Sequence, residues 1–310
     1  MDGASAYDGL VRRVKKFWAE LNPNVRGAAL VATGALFLTL MVVIAKFLGD
    51  RLPSLEITFV RSFVGLLFVL PLAFKHGRNI YRTDVPWRHL QRGGVGIMGN
   101  MCLFYSVTHL LLADAMALQF SRPLWGIVLA AIVLKEVVGW PRGIATVIGF
   151  SGILLMTRPF GEGFDPDAIV GVLGALFASI VIVSIKQLAR SEGTMVIMFY
   201  YAFWGAVLSF IPALFVWEWP SLHDWLLLTA VGFAGIVGQT LITQGVRQAD
   251  TTVVLPFDYL RIVYAFGIGL WLFDEVPNEY SVIGTAIIVS STLYILIREA
   301  RMKKVAKPSS

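Results

Sequence analysis

The chain has 310 residues, of which 57% are hydrophobic and only 15% are charged. Because soluble domains carry about 25% charged residues, this composition excludes an ordinary soluble fold. The formal net charge is +6, but the basic residues stand between apolar runs, so we attribute them to membrane topology and predict no nucleic-acid partner. The single cysteine, Cys102, excludes an intramolecular disulfide and a thiolate zinc cluster.

Residues 1–26 are predicted to form a separate N-terminal segment. A basic cluster at 12–16 is followed by the charged, helix-breaking stretch 20–24 before any long apolar run, so this segment is not a cleavable signal. Apolar residues such as Leu10, Val14 and Phe17 recur at helical spacing opposite the basic ones. We therefore expect a short amphipathic helix on the cytoplasmic membrane surface. A solvated helix without membrane contact is the alternative.

Ten apolar runs follow, each close to the length that crosses the hydrocarbon core of a bilayer. A backbone in lipid must satisfy its own hydrogen bonds, and the alternation of barrel strands is absent. We therefore predict an all-α integral membrane protein with ten transmembrane helices. The runs are 28–48, 57–74, 93–112, 115–134, 141–158, 168–186, 195–216, 225–245, 251–273 and 280–297.

The positions of Lys and Arg predict the orientation of these spans. If the N-terminus is cytoplasmic, 20 of the 26 basic residues lie on the cytoplasmic side, and only Arg51 and Arg158 lie outside. The other four stand within the spans: Lys46, Arg61, Arg122 and Arg261. By the positive-inside rule, both termini are predicted to lie in the cytoplasm, with the protein in the cytoplasmic (inner) membrane.

An internal repeat emerges when the sequence is aligned with itself at an offset of 139 residues. Residues 93–137 then match 232–276 without gaps, and the identities include Gly93 with Gly232, Arg122 with Arg261 and Glu136 with Glu275. The chain is therefore predicted to be a duplication, with five-helix repeats at 27–159 and 160–298 and a basic cytoplasmic tail at 299–310. Since five is odd, the second repeat must be inverted relative to the first, which is an architecture of secondary transporters.

The fourth span of each repeat ends in a glutamate within a short loop, in the segments 134–137 and 273–277, and a glycine-bearing helix follows. Over residues 28–298 these features resemble the EamA-type branch of the drug/metabolite transporter superfamily, and the segment 249–261 is similar to the ninth helix of its bacterial members. The resemblance implies a transport fold and a cargo among amino acids, nucleotide-related metabolites such as S-adenosylmethionine, or drug-like compounds. One departure is Arg122 ahead of Pro123, where many relatives carry an apolar or small residue.

The repeat also predicts a binding site. The fourth span carries a trio spaced by threes, and the ninth span carries the aligned trio; they are Gln119, Arg122 and Trp125, and Asp258, Arg261 and Tyr264. That spacing keeps each trio on one helix face, so both could line a central cavity. The arginines would hold a carboxylate or phosphate, Asp258 a substrate ammonium, and the aromatic rings a cation or flat ring. The alternative is structural: Asp258 pairs with Arg261, and Arg122 snorkels or bonds to backbone.

Other polar residues in the spans have two interpretations each. Arg61 is a third donor to cargo or is paired with Glu56, whereas Lys46 is expected to snorkel. Glycines at every third position, 93 to 99 and 232 to 238, predict close helix contacts. Asn100 and Gln239, which follow these glycines, either join helices or line the cavity. Glu136 and Glu275, at span ends, either fix the turn into the next helix or act in gating.

The sequence contains no H-E-x-x-H motif, phosphate loop or paired catalytic carboxylates, so we predict neither an enzyme nor a cofactor or metal. The favoured function is secondary transport of a small polar metabolite, anionic or zwitterionic, across the cytoplasmic membrane. A non-transporting scaffold, or a subunit of a complex that handles lipid-linked sugars, is the alternative. The expected partners are this substrate and the lipid bilayer; coupling to a proton or counter-substrate, and a monomeric or homodimeric state, stay open.

Overall fold

The computed structural model describes residues 21–75, 82–132, 135, 138–159, 164–188, 191–249 and 251–305. Within those ranges the chain is helical and contains no strand, as predicted. The predicted surface helix of the N-terminal segment lies outside the described residues. Residues 23–26, at the end of that segment, belong to the first membrane helix. Glu136 and the end of the basic tail also lie outside them.

Seven segments are long and apolar enough to cross a membrane, within the part of the chain that was described. Three predicted spans are helical but are not among these seven, namely 93–112, 141–158 and 251–273. The count of ten spans therefore remains a prediction. The helices are α1 Pro23–Gly49, α2 Ser54–Lys75, α3 Pro86–His109, α4 Leu112–Gln119, α5 Arg122–Ile132, α6 Trp140–Thr157, α7 Asp167–Leu188, α8 Thr194–Leu214, α9 Leu222–Gln248, α10 Thr251–Val254, α11 Leu260–Leu272 and α12 Glu279–Val305.

Two of the predicted spans are interrupted, and both breaks involve a proline. The span predicted at 115–134 is split into α4 and α5 by a turn at Phe120 and Ser121. Pro123 has no N–H with which to bond the Gln119 carbonyl four residues earlier, so a regular helix cannot continue through this point. In the span predicted at 251–273, Pro256 lies in a 3₁₀ segment, Leu255–Tyr259, that joins α10 to α11. The expectation of one continuous helix in each place was wrong.

The main helix contacts join the first half of the chain to the second. Helix α1 packs on α9, α3 on α7, α2 on α8, and α6 on α12. Backbones meet directly at two of these crossings, where a Cβ on Gly238 would lie 2.9 Å from the Gly34 carbonyl oxygen and one on Gly152 would lie 2.9 Å from that of Gly284. The predicted close contacts of the glycine faces are confirmed, since a Cβ on Gly96 would come within 2.9 Å of the Tyr201 ring.

The two loops that carry the repeated glutamates share an unusual backbone conformation. Lys135 and Asp274, each directly before its glutamate, both have a φ of 52°, in the left-handed region that side-chain-bearing residues rarely occupy. Their positions differ by the same 139 residues as the sequence repeat. The repeat offset is therefore visible in backbone geometry as well as in residue identity.

Candidate functional site

The turn between α4 and α5 brings the two predicted arginines to one aromatic ring. The guanidinium carbon of Arg122 lies 5.7 Å from the centroid of the Phe120 ring, and that of Arg261 lies 5.0 Å from it. Phe120 is only 4% exposed. Because Arg122 belongs to the first half and Arg261 to the second, this ring lies where the two broken helices meet.

A second ring completes the cluster. Tyr259 stands 4.6 Å from Phe120, centroid to centroid, and its hydroxyl donates a 2.8 Å hydrogen bond to Thr292 on α12. Phe120 and Tyr259 are themselves 139 residues apart. Neither ring was predicted as a site residue, because a single aromatic residue in a membrane span needs no explanation. The repeat offset was the signal that could have paired them.

Arg122 bonds to its own backbone and not to an acid. Its Nε donates to the Gln119 carbonyl oxygen at 2.8 Å, which is the acceptor that Pro123 leaves free. No ion pair to Arg122 is found among the residues described. The charge of Asp258 acts on Arg122, but that carboxylate is already hydrogen-bonded to Arg261. The guanidinium of Arg122 is therefore available to an anion.

Asp258 and Arg261 form the ion pair that the sequence analysis gave as the structural alternative. Arg261 Nη2 lies 2.8 Å from Asp258 Oδ2, and both side chains are largely shielded, with 11% and 23% of their areas exposed. The pair is incompletely satisfied in the described part of the protein, since Asp258 Oδ1 and Arg261 Nε are buried without a hydrogen-bond partner. One acceptor and one donor thus remain beside the two rings.

The other members of the two trios lie apart from the arginines. Gln119 is 4% exposed and its side-chain nitrogen points at Gly174 of α7. Trp125 packs edge-on against Phe150 of α6, with ring centroids 4.9 Å apart. Tyr264 is half-buried on α11. Spacing by three does not hold a trio on one face when the helix is interrupted inside it, so only Arg122, Arg261 and Asp258 are brought together.

Asn100 and Gln239, the polar residues after the glycine faces, occupy different environments. Asn100 donates a 3.0 Å hydrogen bond to the Tyr201 hydroxyl on α8, so it joins two helices. The side chain of Gln239 is exposed on α9. The aligned positions therefore do not share one role.

Arg61 and Arg92 both lie beside Tyr201. The charge of Arg61 acts on the Tyr201 phenol, and the guanidinium carbon of Arg92 lies 4.4 Å from the centre of the Tyr201 ring. Arg61 is not paired with Glu56, whose carboxylate instead accepts from the backbone N–H of Glu218 at 3.1 Å. Arg92, which stands just before the predicted span 93–112, lies within α3 and is 8% exposed.

One end of the bundle is closed by Glu275, and we call it the Glu275 end. The two carboxylate oxygens of Glu275 contact Lys46 Nζ at 2.5 Å and the Leu112 backbone N–H at 2.6 Å. Lys46 also donates to the Leu110 carbonyl at 2.6 Å and is only 13% exposed, so the expectation that it snorkels was wrong. Glu275 thus occupies the start of α4, where helical N–H groups lack partners.

Further contacts between the halves lie at the same end. Arg51 is 3.0 Å from Asp224, and Ser281 donates to Asp114 at 2.9 Å. At the opposite end, which we call the Glu192 end, the Glu192 carboxylate accepts from Thr83 at 2.5 Å. At both ends, therefore, side-chain contacts join the first half of the chain to the second. A rigid-body movement of one half relative to the other would break them.

A cavity of about 620 Å³ opens at the Glu275 end, between the α1–α2 loop, α3 and α7. Its wall includes Arg51, Cys102 and Glu218, and the stacked rings of Tyr105 and His109, whose centroids are 4.0 Å apart. None of the predicted site residues lines it. No cluster of His, Cys, Asp or Glu that could hold a metal ion is found within the described ranges.

Comparison with known proteins gives the same family in both halves. The model of the EamA-like transporter family matches residues 25–158 and 167–297. The chain is 30% identical over 259 residues to an S-adenosylmethionine uptake transporter of Rickettsia conorii, covering 84% of this chain and 88% of the relative. It is 31% identical over 271 residues to the pseudopaline exporter CntI of Pseudomonas aeruginosa, covering 85% and 93%. A solved structure, "Crystal structure of protein", has the same fold, with a TM-score of 0.58 at 22% identity, covering 89% of this chain and 98% of its own.

Proposed function

This chain belongs to the EamA-like transporter family, and we propose that it carries a small zwitterionic or anionic metabolite through the bilayer by alternating access. Its role as a transporter follows from that membership, because relatives that span most of the chain are transporters. A proton gradient or a counter-substrate supplies the driving force. The observation that carries the proposal is the convergence of Arg122 and Arg261 on the ring of Phe120.

The chemistry of this cluster suits an amino acid joined to a flat ring. Arg122, which has no ion pair within the described part, offers a forked donor to a carboxylate. The unpartnered Asp258 Oδ1 offers an acceptor to an ammonium group. Phe120 and Tyr259 offer ring faces to an aromatic base or a cation. S-adenosylmethionine, which the Rickettsia relative takes up, carries all of these groups, and we propose a cargo of that class.

The route of alternating access rests on two inverted five-helix repeats, 27–159 and 160–298. If the two halves are interchanged, α1 takes the place of α7 and α3 takes the place of α9, so the α1–α9 contact becomes the α7–α3 contact. The α2–α8 and α6–α12 contacts each map onto themselves, as expected for a pseudo-two-fold axis. The equal offsets of Phe120 and Tyr259 and of Lys135 and Asp274 support the same axis. In such transporters the cargo site lies where the halves meet, and rocking one half against the other exposes it to each side in turn.

We place the protein in the cytoplasmic membrane with both termini inside, from the distribution of its basic residues. The Glu192 end then faces the cytoplasm and the Glu275 end faces outward. Glu275 acts as a gate in this proposal, because its contacts with Lys46 and Leu112 must break when the outer end opens. Glu136, its counterpart in the repeat, has the equivalent role on the cytoplasmic side.

The test is transport by the purified chain alone in liposomes. We expect radiolabelled S-adenosylmethionine to enter and to exchange with internal unlabelled compound, and we expect Arg122→Gln to abolish this flux. Arg88→Gln is the matched control, since Arg88 is an exposed arginine on α3. A membrane scaffold would move neither this compound nor a pool of amino acids and organic acids, and that outcome would reject the proposal.

A further inference from the structure

Tyr201 is the centre of a second basic cluster, separate from the Phe120 site. It lies on α8 and faces α3, where Gly96 lets its ring approach closely. Arg92 and Asn100, one turn before and one turn after Gly96 on the same face of α3, both reach it. The Arg92 guanidinium stacks on the ring at 4.4 Å, and Asn100 donates to the hydroxyl at 3.0 Å.

Arg61 approaches the same tyrosine from α2. Its charge acts on the Tyr201 phenol, and its Nε donates a 3.5 Å hydrogen bond to the Met41 sulfur. Its guanidinium carbon is also 5.9 Å from the centre of the Phe104 ring. Two guanidinium groups from different helices therefore share one phenol, and the contacts that surround them are uncharged.

The cluster has positive charge without a matching negative charge. Arg92 is 8% exposed, and its Nε and Nη1 are buried without a hydrogen-bond partner among the described residues. Neither Arg92 nor Arg61 forms an ion pair with a carboxylate in that part of the chain. A buried charge without a partner is unfavourable, and in membrane proteins such residues mark the path of an ion or substrate. Asp258 supplies the partner of Arg261, whereas no carboxylate of the described residues plays that part in the Tyr201 cluster.

We infer that Arg61, Arg92 and Tyr201 form a second anion subsite for the carboxylate of the cargo, with Arg92 on the side of the Glu192 end. This inference rests on the proposed transport function. Arg92 is six residues after the first residue of α3, which places it about 9 Å along the helix from the Glu192 end. The cargo carboxylate therefore passes between Arg122 at the helix breaks and Arg92 on its way to or from the cytoplasm.

The experiment compares two probes that differ by one carboxylate. Binding of S-adenosylmethionine and of decarboxylated S-adenosylmethionine to the full chain is measured in lipid nanodiscs. Arg92→Gln should weaken binding of the first probe about tenfold or more and change binding of the second by less than twofold. Arg88→Gln, which removes an exposed arginine one turn away on α3, should change neither. If Arg92→Gln weakens both probes equally, the residue is structural and the subsite is rejected.

Two further arms separate this inference from the cargo proposal. Arg92→Lys keeps the charge but loses the fork, so it should fold and give an intermediate loss for the carboxylate probe alone. Inorganic phosphate should raise the unfolding temperature of the wild type and of Arg88→Gln, but raise that of Arg92→Gln less. If this pattern holds and neither adenosyl probe binds the wild type, the subsite stands and the proposed cargo fails. If phosphate stabilises Arg92→Gln as much as the wild type, the subsite is overturned.

Discussion

The two broken helices carry the same arginine with different partners. In the first half Arg122 donates to a backbone carbonyl, that of Gln119, whereas in the second half Arg261 is paired with Asp258. Gln119 and Asp258 occupy equivalent positions of the repeat. The two arginines thus stand at equivalent positions, and the residue three positions earlier determines whether the arginine has an acidic partner.

The largest effect is expected when the unpaired arginine is removed. Arg122→Gln should reduce kcat/KM for cargo about 100-fold, because a charge-assisted hydrogen bond in a dry site contributes up to about 3 kcal/mol. Arg261→Gln combined with Asp258→Asn removes the neutral pair and should reduce it about tenfold. Liposome flux at several cargo concentrations measures both. Equal losses in the two variants would show that the halves contribute alike.

A single substitution should make the first half resemble the second. Gln119→Asp places a carboxylate three residues before Arg122, as Asp258 stands before Arg261, and the new ion pair should lower transport about 30-fold without removing the arginine. Gln119→Asn, which keeps the amide, is the control and should stay within about threefold of wild type. Unchanged flux in Gln119→Asp would mean that Arg122 does not bind the cargo anion.

Asp258 should contribute to binding affinity only when the cargo carries an amino group. Asp258→Asn should weaken binding of an ammonium-bearing cargo about tenfold and leave a deaminated analogue unaffected. Competition between the two compounds in the flux assay gives the ratio. Asp274→Asn, in an exposed loop of the same half, is the matched control. If both compounds lose affinity equally, Asp258 serves only to neutralise Arg261.

The smallest effect concerns the one polar difference between the paired rings. Tyr259→Phe removes the hydrogen bond to Thr292 and should lower the free energy of unfolding by about 1 kcal/mol. The ring stays in place, so flux should be unchanged. Thermal unfolding of the variant, of Thr292→Val and of the double variant measures the coupling. A loss of transport without a loss of stability would assign the hydroxyl to the cargo site.

Much of the fold could be predicted because lipid imposes simple rules on sequence. The lengths of the apolar runs predicted where the helices lie, and the 139-residue offset paired Arg122 with Arg261 from the sequence alone. The offset succeeds because duplicated segments that fold alike bring equivalent residues to equivalent places.

The remaining features depend on contacts that spacing does not encode. Mean hydropathy does not reveal a break, so the trio with Trp125 was placed on a helix face that Pro123 disrupts. Lys46 was expected to snorkel because its ion-pair partner, Glu275, is distant in sequence and lies beside it only in the packed structure. The contact of Arg92 with Tyr201 was not predicted, because a charge near a helix end has the same sequence pattern whether water or an aromatic ring covers it.

The crossing of α1 and α9 at Gly34 and Gly238 has a mechanical consequence. The same two backbones also meet at Gly27 and Gly245, where a Cβ on Gly27 would lie 2.9 Å from the Gly245 carbonyl oxygen. The two contacts are seven residues apart on α1, which is about 10 Å at 1.5 Å per residue. Helices in contact at two such points cannot pivot about either one, so we expect α1 and α9 to move together as one rigid unit when either end of the bundle opens.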